Sequence, residues 1–238
     1  MLGDSMLVVC LGAIGALIGF CVSYVARMLP AALQRAWYAD ACEVLGLPQG
    51  YPAPKVREGG SNSLLRLGFS MSISSALTCW VVLHFGFAPK TLAALFLALG
   101  LLTLSMIDVE HMFLPDALVL PLLWVGILLN SFGLFASLFD AIWGAACAYL
   151  SLYLLNALYK LSTNRDGLGL GDAKLFAAIG AWGGWQVLTS TLLVAALSCV
   201  FVILGLLLAG KKINRGTLLP FGPFLALGGW FAIISTTV

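Results

Sequence analysis

The chain has 238 residues, of which 61% are hydrophobic and only 9% charged, with a mean hydropathy of +1.04 and a formal net charge of +2. A soluble domain of this size is usually about one quarter charged, so this composition cannot clothe a water-soluble surface, and the small net charge with no basic stripe argues against nucleic acid as a partner. Continuous apolar runs, rather than period-2 alternation, also set aside a membrane β-barrel. The expected fold class is therefore all-α: a polytopic integral membrane protein of about eight transmembrane helices, each needing about 20 apolar residues.

The first run extends from about Met6 to Leu29. No basic n-region precedes it, since Asp4 is the one charged residue there, so it reads as a retained helix rather than a signal peptide. A polar stretch from about Pro30 to Arg66 follows, holding Arg35, Asp40, Glu43, Lys55, Arg57 and Glu58 together with the pair Gly59-Gly60. Its Pro and Gly content predicts a loop in its middle. Seven further runs cover about Leu67 to Phe87, Thr91 to Ile107, Ala117 to Phe132, Leu138 to Tyr159, Leu175 to Val187, Thr189 to Ala209 and Leu218 to Ile234. The sixth of the eight is short for a full crossing. This divides the chain into a first transmembrane helix (1–30), a cytoplasmic loop or small subdomain (31–66) and a seven-helix membrane core (67–238).

Eight crossings with both termini outside place Arg27, Arg35, Lys55, Arg57, Arg66, Lys160, Arg165, Lys174, Lys211, Lys212 and Arg215 on one face and leave Lys90 on the other. Lys and Arg gather on the cytoplasmic side, so this distribution supports both the count and the orientation. Gly15 and Gly19 in the first helix, and Gly180 and Gly184 in the sixth, form GxxxG spacings suited to close helix contacts. The six cysteines, at positions 10, 21, 42, 79, 147 and 199, are too scattered for a CxxC pair, which argues against a local zinc or redox motif.

Ten acidic residues are few enough for position to matter. Asp4, Asp40, Glu43 and Glu58 lie in polar flanks, and Asp140 is placed to open the fifth helix. Asp108, Glu110, Asp116 and Asp172 fall near cytoplasmic helix ends. Two crossings separate Asp108 from Asp172, which returns the chain to the same face. Ionisable groups at membrane depth are costly and are candidates for function. Two carboxylates held close share one proton, and such a pair can activate water while polarising a peptide carbonyl. Residue pattern alone leaves other readings open: Asp172 as a helix cap with Asp108 marking the aqueous end of its helix, or an ion or solute pathway. Glu110 and His111 have no third convergent ligand and read as a solvated loop. His84 reads as a packed or interfacial residue.

Three blocks sharpen this. They are Ile107-Asp108-Val109-Glu110-His111-Met112-Phe113-Leu114-Pro115-Asp116, then Gly169-Leu170-Gly171-Asp172-Ala173-Lys174, then Leu219-Pro220-Phe221-Gly222-Pro223-Phe224. Together, over roughly residues 100 to 235, the chain resembles the type IV prepilin leader peptidases, bacterial membrane aspartic proteases with a GxGD signature. The resemblance implies that Asp108 and Asp172 are catalytic. It also implies that Gly169 and Gly171 shape the approach to Asp172 and that Lys174 belongs to a GDxK pattern. Lys174 would either offset negative charge near the pair or anchor its helix at the headgroups, whereas Asp116 fits a helix start. The implied substrate is a prepilin or pseudopilin, cut at the cytoplasmic face of the bacterial inner membrane after the glycine ending a short basic leader. Many relatives carry two CxxC pairs in the first cytoplasmic loop, and some also methylate the new N-terminus. Here that loop holds Cys42 alone, and the usual GSFLNV-like stretch reads Gly19-Phe20-Cys21-Val22-Ser23-Tyr24. The expected cofactors are accordingly none for peptide cleavage, with S-adenosylmethionine required only if the chain also methylates. A cation-coupled transporter and a non-catalytic subunit of a pilus or secretion machine are the rival classes. Accessibility mapping in intact membranes is expected to place positions 108 and 172 on one face and Lys90 on the other; opposite faces for the two acids would end the dyad reading.

Overall fold

The computed structural model describes residues 2–46, 63–163, 169–210 and 219–236. Lys55, Arg57, Glu58, Arg165, Asp166, Lys211, Lys212 and Arg215, and the middle of the stretch expected to be a loop, lie outside them. The described residues form eight α-helices: α1 Leu2–Val44, α2 Ser63–Phe85, α3 Pro89–His111, α4 Asp116–Asn130, α5 Leu138–Thr163, α6 Leu170–Gly183, α7 Val187–Leu208 and α8 Gly222–Ser235. Five contain stretches long and apolar enough to cross a membrane, namely Val9–Val44, Leu64–Phe85, Pro89–His111, Leu138–Thr163 and Val187–Leu208. The shorter α4, α6 and α8 have 15, 14 and 14 residues.

The first helix departs from expectation. Instead of ending near Pro30 it carries that proline inside and continues to Val44. The segment AALQRAWYADACEV is rich in Ala and other strong helix formers, so its polar residues mark where the chain leaves an apolar environment, not where the helix stops. The chain separates into two compact units, Met1–Phe87 and Ala88–Val238.

In the first unit, α1 lies against α2 on its glycine face. A Cβ at Gly15 would sit 2.7 Å from Ser75 Cα, and one at Gly19 would sit 2.6 Å from Met71 Cα. The close approach lets Ser70 Oγ donate to the Gly19 carbonyl at 3.1 Å and Ser75 Oγ to the Gly12 carbonyl at 3.0 Å. Such interhelical hydrogen bonds suit an environment without water. His84 lies on the exposed side of α2, its ring stacked on Trp80 at 4.9 Å between ring centroids.

The second unit is built around α6, in which every residue from Leu175 to Gly183 is buried. A helix apolar on all sides belongs inside a bundle, and α4, α5, α7 and α8 all pack on it. Neighbouring helices give up side chains to admit it. A Cβ at Gly144 of α5 would lie 2.5 Å from the Gly180 carbonyl, and one at Gly180 would meet the Gly144 carbonyl in turn. The indole of Trp182 occupies the space beside Gly126 and donates Nε1–H to the Leu122 carbonyl at 2.8 Å. Gly184, the second glycine of the expected GxxxG, instead ends α6 with φ +79°. There Asn130 satisfies all its polar valences: Nδ2 donates to the Ala181 and Trp182 carbonyls, while Oδ1 accepts from the Phe135 and Ala136 N–H groups. Asp140 opens α5 as expected. Ser137 Oγ accepts the Asp140 N–H at 3.1 Å and donates to Asp140 Oδ2 at 2.8 Å, a reciprocal cap.

Gly180→Ala should lower the thermal stability of the detergent-solubilised protein by about 1–3 kcal/mol, because backbone on α5 cannot yield to the new methyl. Gly205→Ala on α7, where nothing lies within 4 Å, should instead be neutral or stabilising by up to about 1 kcal/mol. Equal effects at the two sites would contradict the packing described.

Candidate active site

Three segments far apart in sequence supply the site, all within the second unit. The α3 helix ends one turn beyond Asp108: the Met112 N–H closes onto the Asp108 carbonyl at 2.9 Å, and Met112 takes a left-handed φ of +58°. That conformation is uncommon for a residue other than glycine and turns the chain sharply, so that α4 can start four residues later at Asp116. Asp108 itself is only 5% exposed. Its Oδ2 accepts the backbone N–H of Gly222, the first residue of α8, at 2.9 Å. Because Asp108 sits in the last turn of α3, its own helix presents a negative end to the carboxylate. The positive N-terminus of α8 offsets this.

Asp172 stands in the first turn of α6, three residues after the N-cap Gly169. Its N–H donates to the Gly169 carbonyl at 3.1 Å, and its carboxylate is hydrogen-bonded by the Gly169 backbone in return. Asp172 also lies close enough to Asp108 for the two charges to act on each other. The structure therefore brings the two acids together, each facing a helix N-terminus. The α8 helix, which packs on both α3 and α6, bridges their parent helices.

The remaining expected residues fall around this pair. A Cβ at Gly169 would come within 3.3 Å of Asp172 Oδ2, and one at Gly171 within 3.0 Å of Leu114 Cβ. These glycines let the carboxylate and the 112–115 turn approach the start of α6. Lys174 points at Asp116, with Nζ 2.7 Å from Oδ1 and 2.6 Å from Oδ2. That bidentate pair ties the first turn of α6 to the first turn of α4. Glu110 and His111 are not a solvated loop: they are the last two residues of α3, with side chains 20% and 7% exposed and His111 Nε2 3.9 Å from Glu110 Oε2. Among the described residues no group of three or more His, Cys, Asp or Glu side chains is placed to hold a metal. Gly222 was not assigned a site role, although it stands in the third sequence block. Its contribution is a backbone N–H, and its signals in the sequence are that block and its place before Pro223 at a helix start.

A family model described as the type IV leader peptidase family matches residues 95–209, which include both acids. A prepilin leader peptidase/N-methyltransferase of Stutzerimonas stutzeri is 41% identical over 263 aligned positions, covering 95% of this chain and 90% of the relative. The chain belongs to the type IV prepilin leader peptidase family. The protein of the same name from Pseudomonas aeruginosa is 40% identical over 265 positions, again covering 95% of this chain and 90% of its own. That of Aeromonas hydrophila is 48% identical over 144 positions, covering 60% and 49%. The two longer alignments exceed the 238 residues of this chain, so within the matched region those family members carry residues that it lacks. No solved structure matches.

The Lys174–Asp116 pair is partly exposed, with side chains 30% and 52% accessible, and such pairs contribute little once water screens them. A double-mutant cycle on Lys174→Gln and Asp116→Asn, read by thermal unfolding, should give a coupling of about 0.5–1 kcal/mol. Both single variants should affect cleavage alike. A loss confined to Lys174→Gln would show that the lysine serves the acid pair rather than Asp116.

Proposed function

We propose that this protein is a membrane aspartic endopeptidase that removes the short basic leader of a type IV prepilin or pseudopilin, using Asp108 and Asp172. The observation that carries the reading is the juxtaposition of these two acids at helix ends, one buried and one half-buried, in a chain of this family. One carboxyl of the pair holds the shared proton while the other is ionised. The ionised member takes a proton from water as the water oxygen bonds to the peptide carbon, and the protonated member gives its hydrogen to the carbonyl oxygen. The resulting diol collapses when the amide nitrogen takes a proton from the acid that first received one. The C–N bond then breaks as the other carboxylate takes a proton from a diol hydroxyl, which gives a carboxylic acid and a free amine and returns one shared proton to the pair. No cofactor takes part in this sequence.

In this reading the chain crosses the inner membrane eight times and the pair lies at the cytoplasmic face; the gathering of Lys and Arg on one side supports that orientation. The substrate leader, being basic, remains in the cytoplasm near acidic groups, while its apolar helix stays in lipid or against the protein. Glycine at positions 169 and 171 leaves room for an extended peptide beside Asp172. S-adenosylmethionine enters only for methylation of the new N-terminus, an activity printed in the names of the relatives; the peptidase assignment does not depend on it.

Family membership favours this reading over a cation-coupled transporter. An inert assembly subunit is distinguished by experiment. Asp108→Asn and Asp172→Asn, each present in membranes at wild-type protein level, should cut leader removal by about a hundredfold or more, and the purified wild-type chain should cleave prepilin unaided. Cleavage at the wild-type rate by either variant would overturn the mechanism.

A further inference from the structure

We propose that Gly222 is a positioning residue for catalysis: the first N–H of α8 holds Asp108 in the orientation that faces Asp172, and the absence of a side chain at 222 is what makes that contact possible. The inference rests on the dyad reading above and adds a third, backbone component to it.

A carboxylate that is 5% exposed needs a fixed hydrogen-bond partner. For Asp108 Oδ2 that partner is the Gly222 N–H at 2.9 Å, from a residue 114 positions later in the chain. The reason for glycine is space, not backbone freedom, since Gly222 is not among the described glycines of positive φ. A Cβ there would lie 2.7 Å from Asp108 Oδ2, 3.1 Å from its Cγ and 3.3 Å from its Cβ. The carboxylate would have to turn away, and the burial around it leaves few alternatives.

The next residues narrow the donors at this helix end to one. Pro223 has no N–H, and the Phe224 N–H is already given to the Phe221 carbonyl at 3.1 Å. The first turn of α8 therefore directs a single outward donor, from Gly222, at Oδ2. That leaves Oδ1 of Asp108 as the oxygen available to water and to the proton shared with Asp172. Because α8 packs on both α3 and α6, the same element that sets the orientation of one acid also fixes the helix that bears the other. A displacement of about 1 Å at a reacting group costs about a hundredfold in rate.

The test is Gly222→Ala in the full-length protein, assayed for prepilin cleavage in detergent or lipid. The expected result is a fall in kcat of about a hundredfold with KM within about twofold of wild type. A kcat within twofold of wild type, or a rise in KM at unchanged kcat, overturns the proposal. Thermal unfolding gives a second arm, which also covers a variant that folds poorly. If the new methyl acts through the Asp108 carboxylate, Gly222→Ala should depress the melting temperature far less in an Asp108→Ala background than in the wild type. An equal depression in both backgrounds, or failure of the double variant to fold, overturns it. Asp108→Asn separates the two levels of the argument: wild-type cleavage by that variant defeats the dyad itself, whereas an inactive Asp108→Asn beside a fully active Gly222→Ala defeats only the role of Gly222.

Discussion

The burial of α6 on every side is the constraint from which the site follows. A helix with no free face from Leu175 to Gly183 can be accommodated only if its neighbours come to backbone distance. Gly126 and Gly144 allow this from α4 and α5, and Gly180 allows it from α6 itself. Once seated, α6 can neither roll nor slide without driving Trp182 into α4 or Gly180 into α5. Asp172, in the first turn of this helix, inherits that fixity. Asn130 locks the opposite end by satisfying the last carbonyls. The polar end of α6 is thus aimed by packing at its apolar end.

The electrostatic design is economical. Two acids are brought near one another where water is scarce, an arrangement that would be costly if both were charged and unsupported. Each is given the N-terminus of a helix, α8 for Asp108 and α6 for Asp172, and each helix end contributes the equivalent of about half a positive charge. The nearby lysine does not perform this task. Lys174 is engaged with Asp116 on the more exposed rim, where its geometric role in joining α4 to α6 outweighs a small energetic one. Fixed backbone dipoles need no reorganisation as charge moves during a reaction, an advantage that a flexible ammonium group lacks.

Much of this was legible in the sequence, and the exceptions have definite causes. Long apolar runs located all eight helices because lipid-like surroundings demand them, and the family blocks pointed to Asp108 and Asp172. The end of α1 was placed too early because the apolar run, and not the helix, stops near Pro30, and Ala-rich sequence supports helix in water as well as in lipid. The placement of Glu110 and His111 in a loop failed for a related reason: two polar residues after an apolar run look like an exit, yet α3 keeps them in its last turn before Met112 reverses the chain. The contact between Lys174 and Asp116 spans 58 residues, and nothing local announces it. Gly222 was least visible of all, since a donated backbone N–H leaves no side-chain signature. The glycine pair across α5 and α6 was half visible: Gly180 stood in a recognisable spacing, whereas its true counterpart, Gly144, stood in none.

The order in which the parts are made carries a further consequence. Asp108 and Asp172 are both translated before α8, whose first N–H then comes to rest on Asp108. A nascent chain that has reached α7 holds both acids, but nothing yet occupies the place of Gly222. The Asp108 carboxylate therefore gains its backbone donor only once α8 has been made and packed. A chain stopped before α8 would keep both acids and lose the contact that fixes one of them.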